Sequence, residues 1–389
     1  GRQQHKTMLK GVLVVAVIGV LVSLTSFYAR SGSGRCESYT LPDPPEFTGP
    51  LAPNEALATA EHLLENELIG PESMVVEKQG KVIYASTADA RIAKIEGGKI
   101  VKEMRLTNEK HCGSYDKEPA CGRPLGLRRL NENEMVVADA YLGVFVVNVE
   151  RNQKRRIVDG RTPVEGRMAR FFNDVDVINS DEIVFTDSSS ENGRRDFMVD
   201  VLHSAGLGRV FHHKISTGET KVLMRGIHFA NGIQVLPDGQ SLVVAELTRC
   251  RILRYWLTGP KKGKTEVFAD NLPGLPDNIR LSANGTLWVG LGGMRRAGKW
   301  DPLAAISELP KVRDFMVEIL PNFILRDVLR ELAPKYGIVI QLDLNGRIVS
   351  SLHDTVGQRV KEVSQVSDGG EYLYLGSFNA PYIARVKKF

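Results

Sequence analysis

Apolar positions along the chain fall into short runs. Each leads through a polar turn into a second apolar run, and the unit occurs six times. The copies begin at Pro71-Glu72-Ser73-Met74-Val75, Pro124-Leu125-Gly126-Leu127, Phe172-Asn173-Asp174-Val175-Asp176, Ala230-Asn231-Gly232-Ile233-Gln234, Pro276-Asp277-Asn278-Ile279-Arg280 and Val363-Ser364-Gln365-Val366. Their second runs cover 82–84, 135–138, 183–186, 242–245, 287–290 and 372–376. Runs such as Val144-Phe145-Val146-Val147 are β-branched and bounded by turn signals, among them Pro237-Asp238-Gly239 and Asn284-Gly285. Copies start roughly fifty residues apart, except before the last, a period that in strand-rich sequence reads as propeller blades. The predicted fold is an all-β, six-bladed β-propeller.

Two segments depart from the repeat. Within 300–335, Leu309, Val312, Phe315, Met316, Ile319 and Leu320 recur at helical spacing, as do Leu325, Val328, Leu329 and Leu332. Pro310 and Pro321 punctuate them. This helical insertion before the last blade reads as a pair packed on the rim, or as a lid over the mouth or a membrane-touching surface. A second insertion, 191–207, lengthens a loop of the third copy and could border the mouth. Upstream, 56–68 has partial helical periodicity, and 60–68 is the natural strand to complete the last blade and close the ring.

Residues 11–29 carry no charge, and at 1.5 Å per residue they span about 28 Å, enough for a bilayer core. Arg2, Lys6 and Lys10 precede the run. Arg30 and Arg35 follow it, and the bias favours the N-terminus on the cytoplasmic side. The expected organisation is a cytoplasmic tail (1–10), a transmembrane anchor (11–29), a Pro/Gly-rich stalk (30–56) and the propeller (57–389). That makes a single-pass type II membrane protein with a lumenal or extracellular propeller, at the plasma membrane or endoplasmic reticulum. A cleaved signal peptide is the competing reading, and it too exports the rest of the chain.

Export changes what the cysteines and asparagines mean. Cys112 and Cys121 flank a short polar loop that a disulfide closes easily. Cys36 and Cys250 have no obvious mates, and Cys250 reads as a buried free thiol. Asn284-Gly285-Thr286 is the only glycosylation sequon and lies in a predicted turn. The net charge of +5 is spread out. No basic stripe with interleaved aromatics points to nucleic acid.

Aligning the first apolar residue of each copy brings Glu72, Leu125, Asn173, Asn231, Asp277 and Ser364 into register. In a closed ring these positions surround one axis. Glu72 and Asp277 supply two charges; Asn173, Asn231 and the adjacent Asn278 supply amide oxygens. Such a set suits Ca2+, which takes six to eight oxygens, and leaves room for water or substrate. An Asn at a strand start is also an ordinary turn residue, and Glu72 could be a rim charge.

The stretches Ile69-Gly70-Pro71-Glu72-Ser73, Cys121-Gly122-Arg123-Pro124-Leu125-Gly126-Leu127, Val137-Ala138-Asp139-Ala140-Tyr141, Phe185-Thr186-Asp187-Ser188-Ser189-Ser190, Pro276-Asp277-Asn278-Ile279-Arg280 and Leu373-Tyr374-Leu375-Gly376-Ser377-Phe378 resemble the strictosidine synthase-like family. The resemblance covers nearly everything after the stalk. It implies a six-bladed propeller and arylesterase-type activity. The wider superfamily includes paraoxonases and lactonases with calcium deep in the tunnel, and their ligand motif maps onto Glu72, Asn173, Asn231, Asp277 and Asn278. Three departures matter. Leu125 stands where paraoxonases have a His. Ser73 stands at a ligand position of their second calcium. Ser364 replaces the catalytic Glu of true strictosidine synthases, so that condensation is not expected. His228 is the weak remaining candidate for a base, and a lone His there is more often structural. Asp139, Asp187 and Glu246 recur at equivalent places and suggest a shared structural hydrogen bond. Tyr141 and Phe378 line the pocket or simply pack.

The function expected is a calcium-dependent, membrane-anchored arylesterase/lactonase-like hydrolase acting on a small ester or lactone. The alternative is a non-catalytic scaffold that binds a protein partner at its rim or helical insertion.

Overall fold

The computed structural model describes Ile18, Gly19 and residues 34–388. The expected tail (1–10) and, apart from Ile18 and Gly19, the expected anchor (11–29) lie outside the described residues. Among the described residues no helix is long and apolar enough to cross a membrane.

Six four-stranded sheets follow one another along the chain. Their innermost strands are Ser73–Glu77, Pro124–Arg129, Phe172–Asn179, Ala230–Val235, Gly274–Leu281 and Gln365–Asp368, so the six-bladed propeller read from the repeat is present. Each blade is covered on both faces by its neighbours, and its second strand therefore shows no polar alternation. Met135, Val136, Val137 and Ala138 are all no more than 1% exposed. Between the second and third blades, Val136, Val144 and Val146 pack with Val175, Ile183, Phe185 and Phe211. Each such side chain removed from water contributes about 1.5–3 kcal/mol.

The sixth blade contains three C-terminal strands and one from the beginning of the propeller. Glu61–Leu63 pairs antiparallel with Ile383–Lys387, in the register Glu61 to Arg385, His62 to Ala384 and Leu63 to Ile383. His62 stacks on Tyr382, ring centroids 3.5 Å apart. The closing strand expected within 60–68 is thus observed, and helix in 56–68 shrinks to one 3-10 turn, Leu57–Thr59.

The Pro-rich segment before it is extended, as its composition implies, yet it is docked as a strap rather than standing free. Tyr39 lies 4.0 Å from the Arg249 guanidinium and 5.0 Å from that of Arg313. Phe47 and Leu51 are buried. The carbonyls of Pro42 and Pro50 accept from Arg295 (2.7 Å) and Ser351 (2.6 Å). Composition alone favours extended chain; two aromatics and a leucine are enough to bind it to the blades.

The insertions form α1 (Phe197–His203), α2 (Pro302–Ser307), α3 (Pro310–Ile319) and α4 (Asn322–Leu332). The 300–335 insertion therefore holds three helices rather than two. Asp301 caps the extra one, accepting from the amides of Leu303 (3.0 Å) and Ala304 (3.1 Å), with Pro302 at its start. Leu202 of α1 and Leu325 of α4 share a small core with Met316 and Leu320. Cys112 and Cys121 are disulfide-bonded, Cα atoms 5.7 Å apart, while Cys36 and Cys250 are free and buried.

His353 ties the strap to the fifth blade. Its ring nitrogens meet the Tyr336 hydroxyl (2.8 Å) and the Ser351 hydroxyl (2.7 Å), and its centroid lies 5.6 Å from that of Phe47. Burial, then the charge of Arg296, opposed by Glu55, lowers its pKa to about 4. The native state thus refuses a proton that the unfolded chain accepts near pH 6.5. Stability present above that pH should be lost as pH falls toward 4, by about 3 kcal/mol in all. Denaturant titrations at pH 7 and pH 4 should show this loss in the wild type. It should be missing from His353→Gln; equal losses in both proteins would refute the assignment.

Candidate metal centre and mouth cavity

Four innermost strands leave their ladder for two residues. Pairing skips from Pro124 to Leu127, Phe172 to Val175, Ala230 to Ile233 and Pro276 to Ile279. The skipped pairs are Leu125-Gly126, Asn173-Asp174, Asn231-Gly232 and Asp277-Asn278. Such a break re-aims side chains that a regular strand would alternate between faces. Glu72 and Ser364 take the matching places just before Ser73 and Gln365, the first paired residues of their strands. Glycine permits the crowding: a Cβ at Gly232 would come within 2.5 Å of the Asn278 Cα and the Asp277 carbonyl.

The structure brings the expected ligand set together. Glu72, Asn173, Asn231 and Asp277 line one cavity of about 90 Å3, with Leu125 beside them. Asn278, fully buried, joins them by donating from Nδ2 to Glu72 Oε1 (2.8 Å). Asn173 Nδ2 is likewise engaged, donating to Ser188 Oγ (2.9 Å). Three oxygens of the set, Glu72 Oε2, Asn231 Oδ1 and Asn278 Oδ1, are buried without a hydrogen-bond partner. Leaving buried oxygens unpaired costs roughly 1–3 kcal/mol each, so the group fits an oxygen-seeking cation. The electrostatics agree. Burial, then the charge of Asp174, pushes the Glu72 carboxyl up to about 7, against the pull of Arg123 and Arg280. Burial, then the charges of Glu72 and Asp174, holds the Asp277 carboxyl well above the usual range.

Beneath the set is a polar layer with its charge balanced. Arg280 donates to both oxygens of Asp174 (2.7 and 2.9 Å) and to Ser73 Oγ (3.1 Å). Ser73 Oγ in turn accepts from the Leu127 amide (3.1 Å) and donates to Gln365 (2.7 Å). The position that raised the question of a second calcium, Ser73, is therefore engaged by a guanidinium, a backbone amide and Gln365.

Above the set, a cavity of about 330 Å3 opens beneath the helices. Arg194, Phe197, Leu247, Asp277 and Phe378 line both chambers, so floor and mouth communicate. Met198 and Val201 of α1, Leu303 of α2 and Arg326 and Arg330 of α4 complete much of its wall. Both insertions thus roof the mouth. Tyr115, inside the disulfide loop, reaches the same wall, with the guanidiniums of Arg195 and Arg326 each 5.4 Å from its ring.

The other residues singled out from sequence have defined places. His228 lines neither chamber. Its Nδ1 meets Glu246 Oε1 at 2.6 Å, a contact that fits a structural histidine. Asp139, Asp187 and Glu246 each accept from nearby backbone amides, those of Tyr141, Phe171 and His228 respectively (3.0, 3.0 and 2.9 Å). Phe378 lines both chambers, whereas the Tyr141 hydroxyl donates to Glu118 (2.6 Å). Asn284 is exposed in its turn. Sequence reasoning located both insertions but missed Arg194, Phe197 and Leu247. Arg194 is held by Glu118 (2.8 Å), 76 residues away, a pairing without local signal. Arg123 was also missed: fully buried, it donates to the carbonyls of Gly70 (3.0 Å) and Phe378 (3.2 Å), tying the first, second and sixth blades.

Fold and sequence together define a strictosidine synthase-like propeller. The Strictosidine synthase family profile matches residues 173–260, and Strictosidine synthase-like, N-terminal, matches 49–95. The adipocyte plasma membrane-associated protein of Bos taurus is 37% identical over 381 residues, covering 98% of this chain and 89% of that protein. Its Gallus gallus counterpart is 40% identical over 348 residues, covering 89% and 82%. The chain belongs to the adipocyte plasma membrane-associated protein family. Among solved structures, regucalcin, a calcium-binding protein from Agrobacterium tumefaciens, aligns with TM-score 0.54 at 13% identity, covering 84% of this chain and 92% of that one. A gluconolactonase from Xanthomonas campestris aligns with TM-score 0.54 at 16% identity, covering 90% and 97%. At these identities the likeness is one of fold.

Removing one partner from the polar layer should be costly. Arg280→Met leaves Asp174 as a buried carboxylate without its bidentate partner, with an expected loss of about 3–5 kcal/mol in denaturant unfolding. A loss below about 1 kcal/mol would mean that other groups compensate Asp174.

Proposed function

We propose that the protein is a calcium-dependent hydrolase of small aryl esters or lactones, anchored to a membrane by residues 11–29. The observation that carries this reading is the buried floor of Glu72, Asn173, Asn231, Asp277 and Asn278, with three orphan oxygens, reached from an apolar mouth. Those five residues would hold Ca2+, which when bound supplies Lewis-acid polarisation of a carbonyl. The walls supplied by Phe197, Leu247 and Phe378 suit an aromatic or alkyl group and keep bulk water from the floor. A carboxylate of the set, Glu72 or Asp277, would take the proton from an attacking water.

The test is phenyl acetate hydrolysis by the purified protein with and without chelator, alongside Asn231→Ala and Glu72→Gln. Chelation and Asn231→Ala should each lower kcat/KM at least tenfold. Removing calcium from a site held at one hundred times its Kd should also withdraw about 3 kcal/mol of stability, lowering Tm. Activity and melting indifferent to chelator would exclude calcium from both roles.

A second reading, a scaffold binding protein partners, is favoured by Leu125 and Ser364 at the register positions of missing acid/base groups. Leu309, Ile319 and Phe323 are exposed on the lid and would serve it. Full folding and calcium binding without hydrolysis of aryl esters or lactones would select this reading.

The uncharged run and relatives named as plasma membrane-associated support a type II topology. The propeller should lie on the lumenal or extracellular side, with Asn284 glycosylated. In sealed microsomes added protease should spare the propeller until detergent is present, and glycosidase should shift its mobility. Digestion without detergent would reverse the topology.

A further inference from the structure

Away from both chambers, three side chains of different chemistry meet where the strap passes under the lid. They are Cys36 of the strap, His203 at the end of α1, and Asp314 of α3. One donor atom from each, a sulfur, a ring nitrogen and a carboxylate oxygen, lies within 4.8 Å of the other two. All three are more than nine-tenths buried, at 7%, 7% and 2% exposure. We propose that Cys36, His203 and Asp314 form a zinc site that clasps the strap to the lid.

The donor set selects the metal. Calcium takes oxygen ligands, so a thiol and an imidazole are not its partners. Tetrahedral zinc accepts sulfur, nitrogen and oxygen at about 2.0–2.3 Å, which sets ligand atoms about 3.4–3.8 Å apart. The observed cluster needs only small side-chain adjustments to reach that spacing. A thiolate and a carboxylate balance the dication, with His203 neutral. Three protein ligands leave a fourth position for water.

The surroundings already hold the three residues in place. The Cys36 amide donates to Asp314 Oδ1 (3.0 Å), and the Glu37 amide donates to the His203 carbonyl (3.2 Å). Next to Asp314, Arg313 donates to the carbonyls of Leu202, Glu37 and Ser307, joining α1, the strap and α2. A nucleophilic Cys-His-Asp arrangement would need access to substrate, and none of the three lines the mouth or the floor. Bound zinc would instead fix α1, whose Phe197, Met198 and Val201 form the mouth wall, to the segment leading from the membrane. The site shares no ligand with the calcium set, so either can fail without the other.

Cobalt reports on this site because a thiolate ligand gives it a charge-transfer absorption that oxygen ligands do not. The full-length chain, solubilised and stripped with chelator, is saturated with Ca2+ and titrated with Co2+ and then Zn2+. Expected are a thiolate–cobalt band saturating at one equivalent, its displacement by Zn2+, and slower proteolysis of the strap when Zn2+ is bound. Cys36→Ser should abolish the band, and His203→Gln should weaken cobalt binding more than about tenfold. Cys250→Ser and Asn231→Ala should keep it. If Cys36→Ser fails to fold, Cys250→Ser still decides. Cys112 and Cys121 are in a disulfide, so a band that survives without Cys250 comes from Cys36. No thiolate–cobalt band in the wild type, or a band unchanged in Cys36→Ser, overturns the proposal.

Discussion

A ring of sheets has no stable edge only when its last blade is completed by its first strand, and here three residues do this. Glu61–Leu63 pairs with Ile383–Lys387 across more than three hundred positions of sequence. Every other feature depends on that closure. Residues 72, 173, 231 and 277 share one cavity because the ring returns each innermost strand to the same axis. Without closure, the two end blades would expose an unpaired edge and an apolar face. Arg123 reinforces the seam by bonding to the carbonyl of Gly70, where the chain enters the first blade, and to that of Phe378, in a loop of the last.

Closure also concentrates charge, and the protein separates that charge into two layers. In the lower layer Asp174 meets Arg280 with two direct hydrogen bonds, and the surrounding Ser73 and Gln365 are mutually satisfied. In the upper layer Glu72 and Asp277 have no cation of their own, and both carboxyls shift toward neutrality. The lower layer pairs its carboxylate with a protein guanidinium. In the upper layer the oxygens Glu72 Oε2, Asn231 Oδ1 and Asn278 Oδ1 stay unpaired at the floor that the mouth reaches.

The insertions and the strap determine what can reach the floor. Helices from two separate blades roof the same chamber, and the strap holds the roof from below through Tyr39, Arg313 and the segment around Cys36. The lid is consequently coupled to the segment that precedes the propeller. Cys36 bonds directly to Asp314 of α3, and Glu37 to His203 of α1.

Much of this was legible in the amino-acid order. Blade number, the closing strand, the disulfide and the register of Glu72, Asn173, Asn231 and Asp277 follow from repeats and local turn chemistry, because strands and turns are dictated by neighbours two to four residues away. The helical insertion was legible too, although Asp301 and Pro302 started a third helix that periodicity in apolar residues does not show. The docking of the strap was not legible, since a proline-rich segment looks alike free or bound until its partners are placed. Nor was the loss of His228 to Glu246, the pairing of Arg194 with Glu118, or the meeting of Cys36 with His203 and Asp314. These contacts join residues with no shared period. Local sequence determined which blades form and which residues stand at their starts. Only the closed ring and its roof decided which of those residues touch, because burial and pairing at long range depend on the position of every blade at once.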